Sequence, residues 1–209
     1  MEKIFITGGI SCGKSGFAEE TALSLYKAEA PVAAGGRWDS TEEGLTGKSR
    51  GLLHFIATAR LELKGEGKDE EMALKIKKHK EKRNKAFIVH ENFGDLFTEI
   101  ENIRKYLSSE SVPGSGVILI DSMTLWLSSV FKDISGYGSA LESVIKFSGY
   151  LSKIECSVVT VADSLGFNMV PVDAYVRKFI ELNGLMEQEL SSASDKAYCV
   201  IAGNPLALK

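Results

Sequence analysis

Hydrophobic residues gather in short runs of strand length at residues 3–7, 52–58, 116–121, 156–163 and 197–202, and helical patterns separate most of these runs. This alternation predicts an α/β fold with a mostly parallel central sheet and helices on both faces. The ending Pro205-Leu206-Ala207-Leu208 predicts a short edge strand. No internal repeat or heptad pattern occurs. Residues 28–51, rich in glycine, proline, small and charged residues, read as a long surface excursion, and Gly65-Glu66-Gly67 as a second, shorter loop. Neither has the length or apolar content of a second domain, so residues 1–209 are expected to form one.

The segment 68–85 predicts a helix of unusual polarity. At about 100° per residue, Met72, Ile76, His79 and Arg83 fall on one stripe, while Lys77, Lys78, Glu81, Lys82 and Lys85 spread over the far side. An imidazole and a guanidinium on the buried line are either satisfied by hydrogen bonds at the edge of the core or line a cavity. The outer lysines read as a solvated face.

Composition narrows the class without naming a chemistry. Hydrophobic residues make up 44% of the 209 and charged residues 25%, as in soluble globular proteins, and the net charge of −3 gives no reason to expect nucleic-acid binding. No apolar run reaches the roughly 18 residues of a membrane span. The start, Met1-Glu2-Lys3 leading into a strand, does not read as a signal peptide. Cys12, Cys156 and Cys199 read as reduced structural thiols of a cytoplasmic protein, without metal-site spacing. Three histidines are too few and too scattered for a zinc site: His54 reads as structural, and His90, beside Glu91, is open between a role and a surface position. Residues 126–131 read as core packing.

Chemistry enters with Gly8-Gly9-Ile10-Ser11-Cys12-Gly13-Lys14-Ser15, which follows the first apolar run and precedes a predicted helix at 14–27. This is the P-loop spacing in the context it requires. Its glycines let backbone N–H groups turn towards phosphate oxygens, Lys14 meets the β and γ charges, the Ser15 hydroxyl ligates Mg²⁺, and the helix adds its positive N-terminal end. The run Val117-Ile118-Leu119-Ile120 ends in Asp121. That carboxylate either holds Mg²⁺ beside Ser15 or caps the helix that follows.

With these residues in place, the chain resembles the bifunctional adenosylcobinamide kinase/adenosylcobinamide-phosphate guanylyltransferase family of cobalamin biosynthesis. The resemblance rests on Phe55-Ile56-Ala57-Thr58-Ala59, on Glu71-Met72 with Lys75-Ile76-Lys77-Lys78-His79 and Arg83, and on Asp121-Ser122-Met123-Thr124-Leu125-Trp126-Leu127-Ser128. Gly166, Val170-Pro171, Arg177-Lys178-Phe179, Ala202-Gly203 and the ending from Pro205 to Lys209 add to it.

The resemblance implies two reactions on one scaffold. ATP or GTP, held by Gly8 to Ser15 with Mg²⁺ near Ser15 and Asp121, phosphorylates the aminopropanol hydroxyl of adenosylcobinamide. His79 then attacks the α-phosphate of GTP, and the corrinoid phosphate takes GMP from the histidine. Nucleotide contacts are implied at Ala57, Thr58, Ala59, Lys80, Glu81, Lys82, Arg83 and Glu91, and a homotrimer is implied as the assembly. Neutral imidazole is a good nucleophile towards phosphorus, and cations at Lys75, Lys78, Lys80 and Arg83 oppose its protonation. Two places depart from the family pattern: Asp163-Ser164 stands where Asn-Glu is usual, and Glu187-Gln188 where Asn-Gln is usual. The excursion at 28–51 lacks a family counterpart. The alternatives are a P-loop small-molecule kinase that has lost guanylyl transfer and a non-catalytic nucleotide-binding module.

Overall fold

The computed structural model describes residues 1–29, 52–59, 84–109, 116–167 and 170–209. In chain order these form β1 (Lys3–Gly8), α1 (Lys14–Glu29), β2 (Leu53–Ala57), β3 (Ile88–His90), α2 (Leu96–Ser109), β4 (Val117–Asp121) and α3 (Met123–Val130). A 3₁₀ turn (Ile134–Gly136), α4 (Tyr137–Leu151), β5 (Ser157–Val161), α5 (Ala174–Ala193), β6 (Lys196–Ile201) and β7 (Asn204–Ala207) follow.

The strands make one seven-stranded sheet in the order β3-β2-β4-β5-β1-β6-β7. All neighbours are parallel except β6 and β7. Every residue of β1, β2 and β5 is buried, as are the first four of β4. Successive strand residues point to opposite faces, so continuous burial means cover on both sides of the sheet. This explains why the apolar runs do not alternate with polar residues. β3 departs from that pattern. It has three residues, Ile88 and Val89 are exposed, and as an edge strand it carries no two-sided apolar run to announce it.

The predicted excursion lies outside the described residues beyond Glu29, where α1 ends. Of the predicted helix at 68–85, only Asn84 and Lys85 are among the described residues. Asn84 and Lys85 stand in a turn, with the Ala86 N–H donating to Asn84 Oδ1 at 2.9 Å. The rest of that segment, His79 included, lies outside the described residues. β5 is shorter than its apolar run, ending at Val161, so Asp163 belongs to the loop beyond it.

Strand order decides what meets at the sheet's C-terminal edge. β5 lies between β1 and β4, with Val161 in register with both Ile6 and Asp121, and on the other side of β1 Gly8 pairs with Val200. The ends of β4, β5, β1 and β6 therefore open side by side, where ligands of open parallel sheets bind. Among the described residues no helix is long and apolar enough to cross a membrane.

An aromatic cluster joins the helices beneath this edge. Phe131, fully buried at the end of α3, stacks on Tyr175 of α5 at 5.0 Å and meets Tyr137 of α4 edge-on at 6.3 Å. The Tyr175 hydroxyl also donates to the Phe131 carbonyl at 3.0 Å. Phe131→Ala is expected to cost about 3–5 kcal/mol of stability, read as a lowered midpoint of urea unfolding.

Candidate functional site

The loop after β1 is built by backbone conformations that few side chains tolerate. Gly8 has φ of 146°, and a Cβ there would lie 2.4 Å from the Val200 carbonyl oxygen and 2.9 Å from Cys12 Sγ. Gly13 has φ of 103° and passes the β6–β7 turn closely, so that a Cβ would meet Gly203 Cα at 3.3 Å. That turn, Ala202-Gly203, has positive φ at both residues, as a two-residue hairpin connection requires, and its Gly203 N–H donates to the Cys12 carbonyl at 2.8 Å. On the other flank the Ser164 N–H donates to the Gly8 carbonyl at 2.9 Å. The loop is thus held from both neighbouring strands. Gly9, Ile10, Ser11 and Gly13 are exposed, while Cys12 is half-buried and its sulfur lies 3.9 Å from Lys14 Nζ.

Lys14 opens α1 and is only 6% exposed. A buried ammonium must be compensated. Its Nζ donates to the Gly9 carbonyl at 2.6 Å and pairs with Asp163 Oδ1 at 2.8 Å. Next to it, the Ser15 hydroxyl donates to Asp121 Oδ2 at 2.7 Å. The capping reading of Asp121 does not hold: the cap of α3 is Ser122, whose side chain accepts from the Leu125 N–H, and the Asp121 carboxylate turns to the loop. A hydroxyl and a carboxylate converging at one point form a hard oxygen pair that fits Mg²⁺, which takes one or two protein oxygens and fills its octahedron with water and phosphate.

Ala57 stands opposite Asp121 in the ladder, and Thr58 ties the two strand ends together. Its hydroxyl donates to the Ser122 carbonyl at 2.5 Å and accepts from the Ser122 N–H at 2.9 Å. Ala59 follows, half-buried. Gly8 to Ser15, Ala57, Thr58 and Asp121 therefore lie along one sheet edge. Glu91 follows the edge strand β3, with β2, β4 and β5 between it and β1. His79, Lys80, Glu81, Lys82 and Arg83 lie outside the described residues. His90 has a clear contact set: its Nε2 faces His54 Nδ1 at 3.0 Å and its Nδ1 faces Glu99 Oε1 at 2.6 Å, which clamps β2 and β3 to α2.

Residues that the motif reading did not place in the site surround Lys14. Asp163 is held through its backbone: its N–H donates to Thr124 Oγ1 at 2.8 Å and its carbonyl accepts from Asn183 Nδ2 at 2.9 Å. Thr124 and Asn183, both buried, are joined to each other at 3.0 Å. Glu187, on α5, accepts from the Thr7 hydroxyl at the end of β1 and is bonded to Ser164. Burial pushes the Glu187 carboxyl above the usual range, and the Asp163 charge adds to this; bonds from Thr7 and Ser164 and the charge of Lys14 oppose it. Burial likewise raises the Cys199 thiol, with Cys12 and Glu187 adding to the effect. The two departures noted in the sequence, at 163–164 and 187–188, thus meet at one point beside the P-loop lysine. Their separation along the chain hid the fact that they are neighbours.

Comparison with known proteins follows the same lines. The model of the cobinamide kinase / cobinamide phosphate guanyltransferase family matches residues 40–208. The chain is 24% identical over 206 residues to the bifunctional adenosylcobalamin biosynthesis protein CobP of Pseudomonas aeruginosa, covering 98% of this chain and 95% of the relative. It is 22% identical over 218 residues to the bifunctional adenosylcobalamin biosynthesis protein CobU of Escherichia coli, covering 99% of each. Among solved structures, a KaiC-like protein of the hyperthermophilic archaeon Pyrococcus horikoshii aligns with 95% of this chain and 70% of its own at 14% identity and a TM-score of 0.42.

The raised Glu187 carboxyl has a signed consequence. A carboxyl whose folded-state pKa is raised contributes stability below its unfolded pKa and loses it as pH rises through the folded value. Glu187→Gln keeps an oxygen for the Thr7 hydroxyl and removes the ionisation. The melting temperature of Glu187→Gln relative to wild type is therefore expected to rise as pH increases above the ordinary carboxyl value of 4.5, as thermal unfolding scans at increasing pH would show.

Proposed function

This chain belongs to the cobinamide kinase / cobinamide phosphate guanyltransferase family, and we propose that it phosphorylates adenosylcobinamide and then transfers GMP from GTP to the phosphorylated corrinoid. The observation that carries the kinase half is the P-loop geometry: a buried Lys14 beside a Ser15–Asp121 oxygen pair, at the edge where β4, β5 and β1 end.

ATP or GTP is the phosphoryl donor in this reading. Its β and γ oxygens take Lys14, the exposed backbone N–H groups of the loop and the N-terminal end of α1. Ser15 and Asp121 would hold Mg²⁺, which neutralises charge on the bridging phosphate oxygens when bound. Closing of the loop on both flanks, through Gly203 and Ser164, keeps these donors in place before the nucleotide arrives, so little reorganisation accompanies the reaction.

For the second half, the spacing that puts His79 on the line of Met72 and Ile76 supports its role as the group that carries GMP. Its imidazole would attack the α-phosphorus of GTP, pyrophosphate would leave, and the phosphate of the corrinoid would then displace the histidine. Lys80 to Arg83 would meet the triphosphate, and Glu91 a ribose or guanine edge. The protein is proposed to act in the cytoplasm as one nucleotide-binding domain spanning residues 1–209, and as a homotrimer.

Two variants in one labelling experiment test the division of labour. Lys14→Ala is expected to lose about 3 kcal/mol or more of transition-state stabilisation for phosphoryl transfer, read as diphosphate release with adenosylcobinamide as acceptor. His79→Ala is expected to keep that activity but to retain no label from α-labelled GTP, whereas the wild type holds an acid-labile, alkali-stable label as a phosphoramidate does. Near-normal kinase turnover in Lys14→Ala, or GMP uptake by His79→Ala, would overturn the respective assignment. Light scattering at micromolar concentration is expected to give the mass of three chains; the mass of one chain rules the trimer out.

A further inference from the structure

We propose that Asp163 competes with nucleotide phosphate for Lys14, so that a nucleotide must displace a carboxylate to reach the lysine and binds less tightly for it. This rests on the reading of residues 8–15 as a phosphate-binding loop. The ammonium of buried Lys14 lies 2.8 Å from Asp163 Oδ1 and 2.6 Å from the Gly9 carbonyl. The aspartate side chain is 27% exposed. The cation is thus covered, and its counter-ion stands nearer the solvent from which a ligand arrives.

The carboxylate is built into this place. The Asp163 N–H donates to Thr124 Oγ1 and its carbonyl accepts from Asn183 Nδ2, both on buried side chains, and the Ser164 N–H donates to the Gly8 carbonyl. All three bonds use main-chain atoms, which leaves the Asp163 side chain for the lysine. Asp121 accepts from the Ser15 hydroxyl, and Glu187 is bonded to Thr7 and Ser164. Of the three carboxylates it is therefore Asp163 that contacts the ammonium.

Two effects oppose a phosphate that takes Lys14. The ion pair breaks at a buried position where water replaces it poorly, and the released carboxylate, pinned by its backbone, stays beside the incoming negative charge. Both weaken every phosphate ligand that uses the lysine. When a diphosphate departs, the carboxylate retakes the ammonium, so the same competition favours release. A neutral side chain at this position removes the competitor and keeps the main-chain anchors.

The test titrates wild type, Asp163→Asn and Asp163→Ser with non-hydrolysable analogues of ATP and GTP by calorimetry, with and without Mg²⁺. Melting temperatures are followed in parallel. Asparagine is the residue usual in the family pattern, and serine serves as a second neutral variant should the first not fold. The competition predicts that Kd falls about tenfold or more in both variants, because a nearby like charge has been removed. Inhibition by nucleoside diphosphate strengthens with it. Melting temperatures move in opposite senses: below wild type without analogue, because buried Lys14 has lost its counter-ion, yet raised further by saturating analogue than wild type is. A residue that only shapes the loop gives the first change without the second. Equal or weaker binding by the variants overturns the proposal and leaves the phosphate-loop reading standing. Weaker binding confined to the samples with Mg²⁺ assigns Asp163 to the metal and overturns it too. Binding by the variants alone supports it, and no binding by any of the three proteins refutes both the proposal and the phosphate-loop reading.

Discussion

A buried ammonium is the constraint around which this structure is arranged. Lys14 sits at the start of α1 with 6% exposure, too deep for water to stabilise its charge. Compensation comes from a carbonyl of its own loop and from a carboxylate at the end of the neighbouring strand. That carboxylate must be held, and the chain holds it with the Thr124 hydroxyl at the start of α3 and the Asn183 amide in the middle of α5. A single charge thereby reaches into two helices that contribute no residue to the P-loop motif.

Strand order is what makes this compensation possible. With β5 inserted between β1 and β4, the loop that leaves β5 passes beside the P-loop instead of at a distance from it. The same order puts Asp121 one strand further away, where its carboxylate accepts from the Ser15 hydroxyl. Each acidic group is thus paired with a different residue of the loop. On the opposite flank, β6 and the tight turn to β7 close against Gly8, where a side chain would collide with the Val200 carbonyl, and against Gly13, whose positive φ strains any other residue. The P-loop is therefore shaped as much by its neighbours as by its own glycines.

The polar groups near Lys14 differ in environment, and this is how three carboxylates can occupy one edge without defeating each other. Asp121 has a hydroxyl partner and Asp163 a cation, whereas Glu187 has hydroxyl partners and a buried setting that raises its pKa.

Much of the fold was legible in the chain because burial on both faces leaves an unbroken apolar run: β1, β2, β4 and β5 stand where such runs occur, the half-buried β6 follows a further apolar run, and the edge strand β7 lies at the expected end. β3 escaped because an edge strand of three residues, two of them exposed, has no such run. The P-loop and Asp121 were legible because their chemistry depends on local spacing and on a strand ending in a carboxylate. Asp163 and Glu187 were visible only as departures from a pattern, without a role. What they do depends on contacts across long separations in sequence: Lys14 with Asp163, Thr7 with Glu187, Asp163 with Asn183. Periodicity and motif spacing report on neighbours along the chain, so the sequence by itself determined most of the elements and the glycine-rich loop after β1. Only the sheet order, set by packing of whole strands, decided which carboxylate stands beside the lysine.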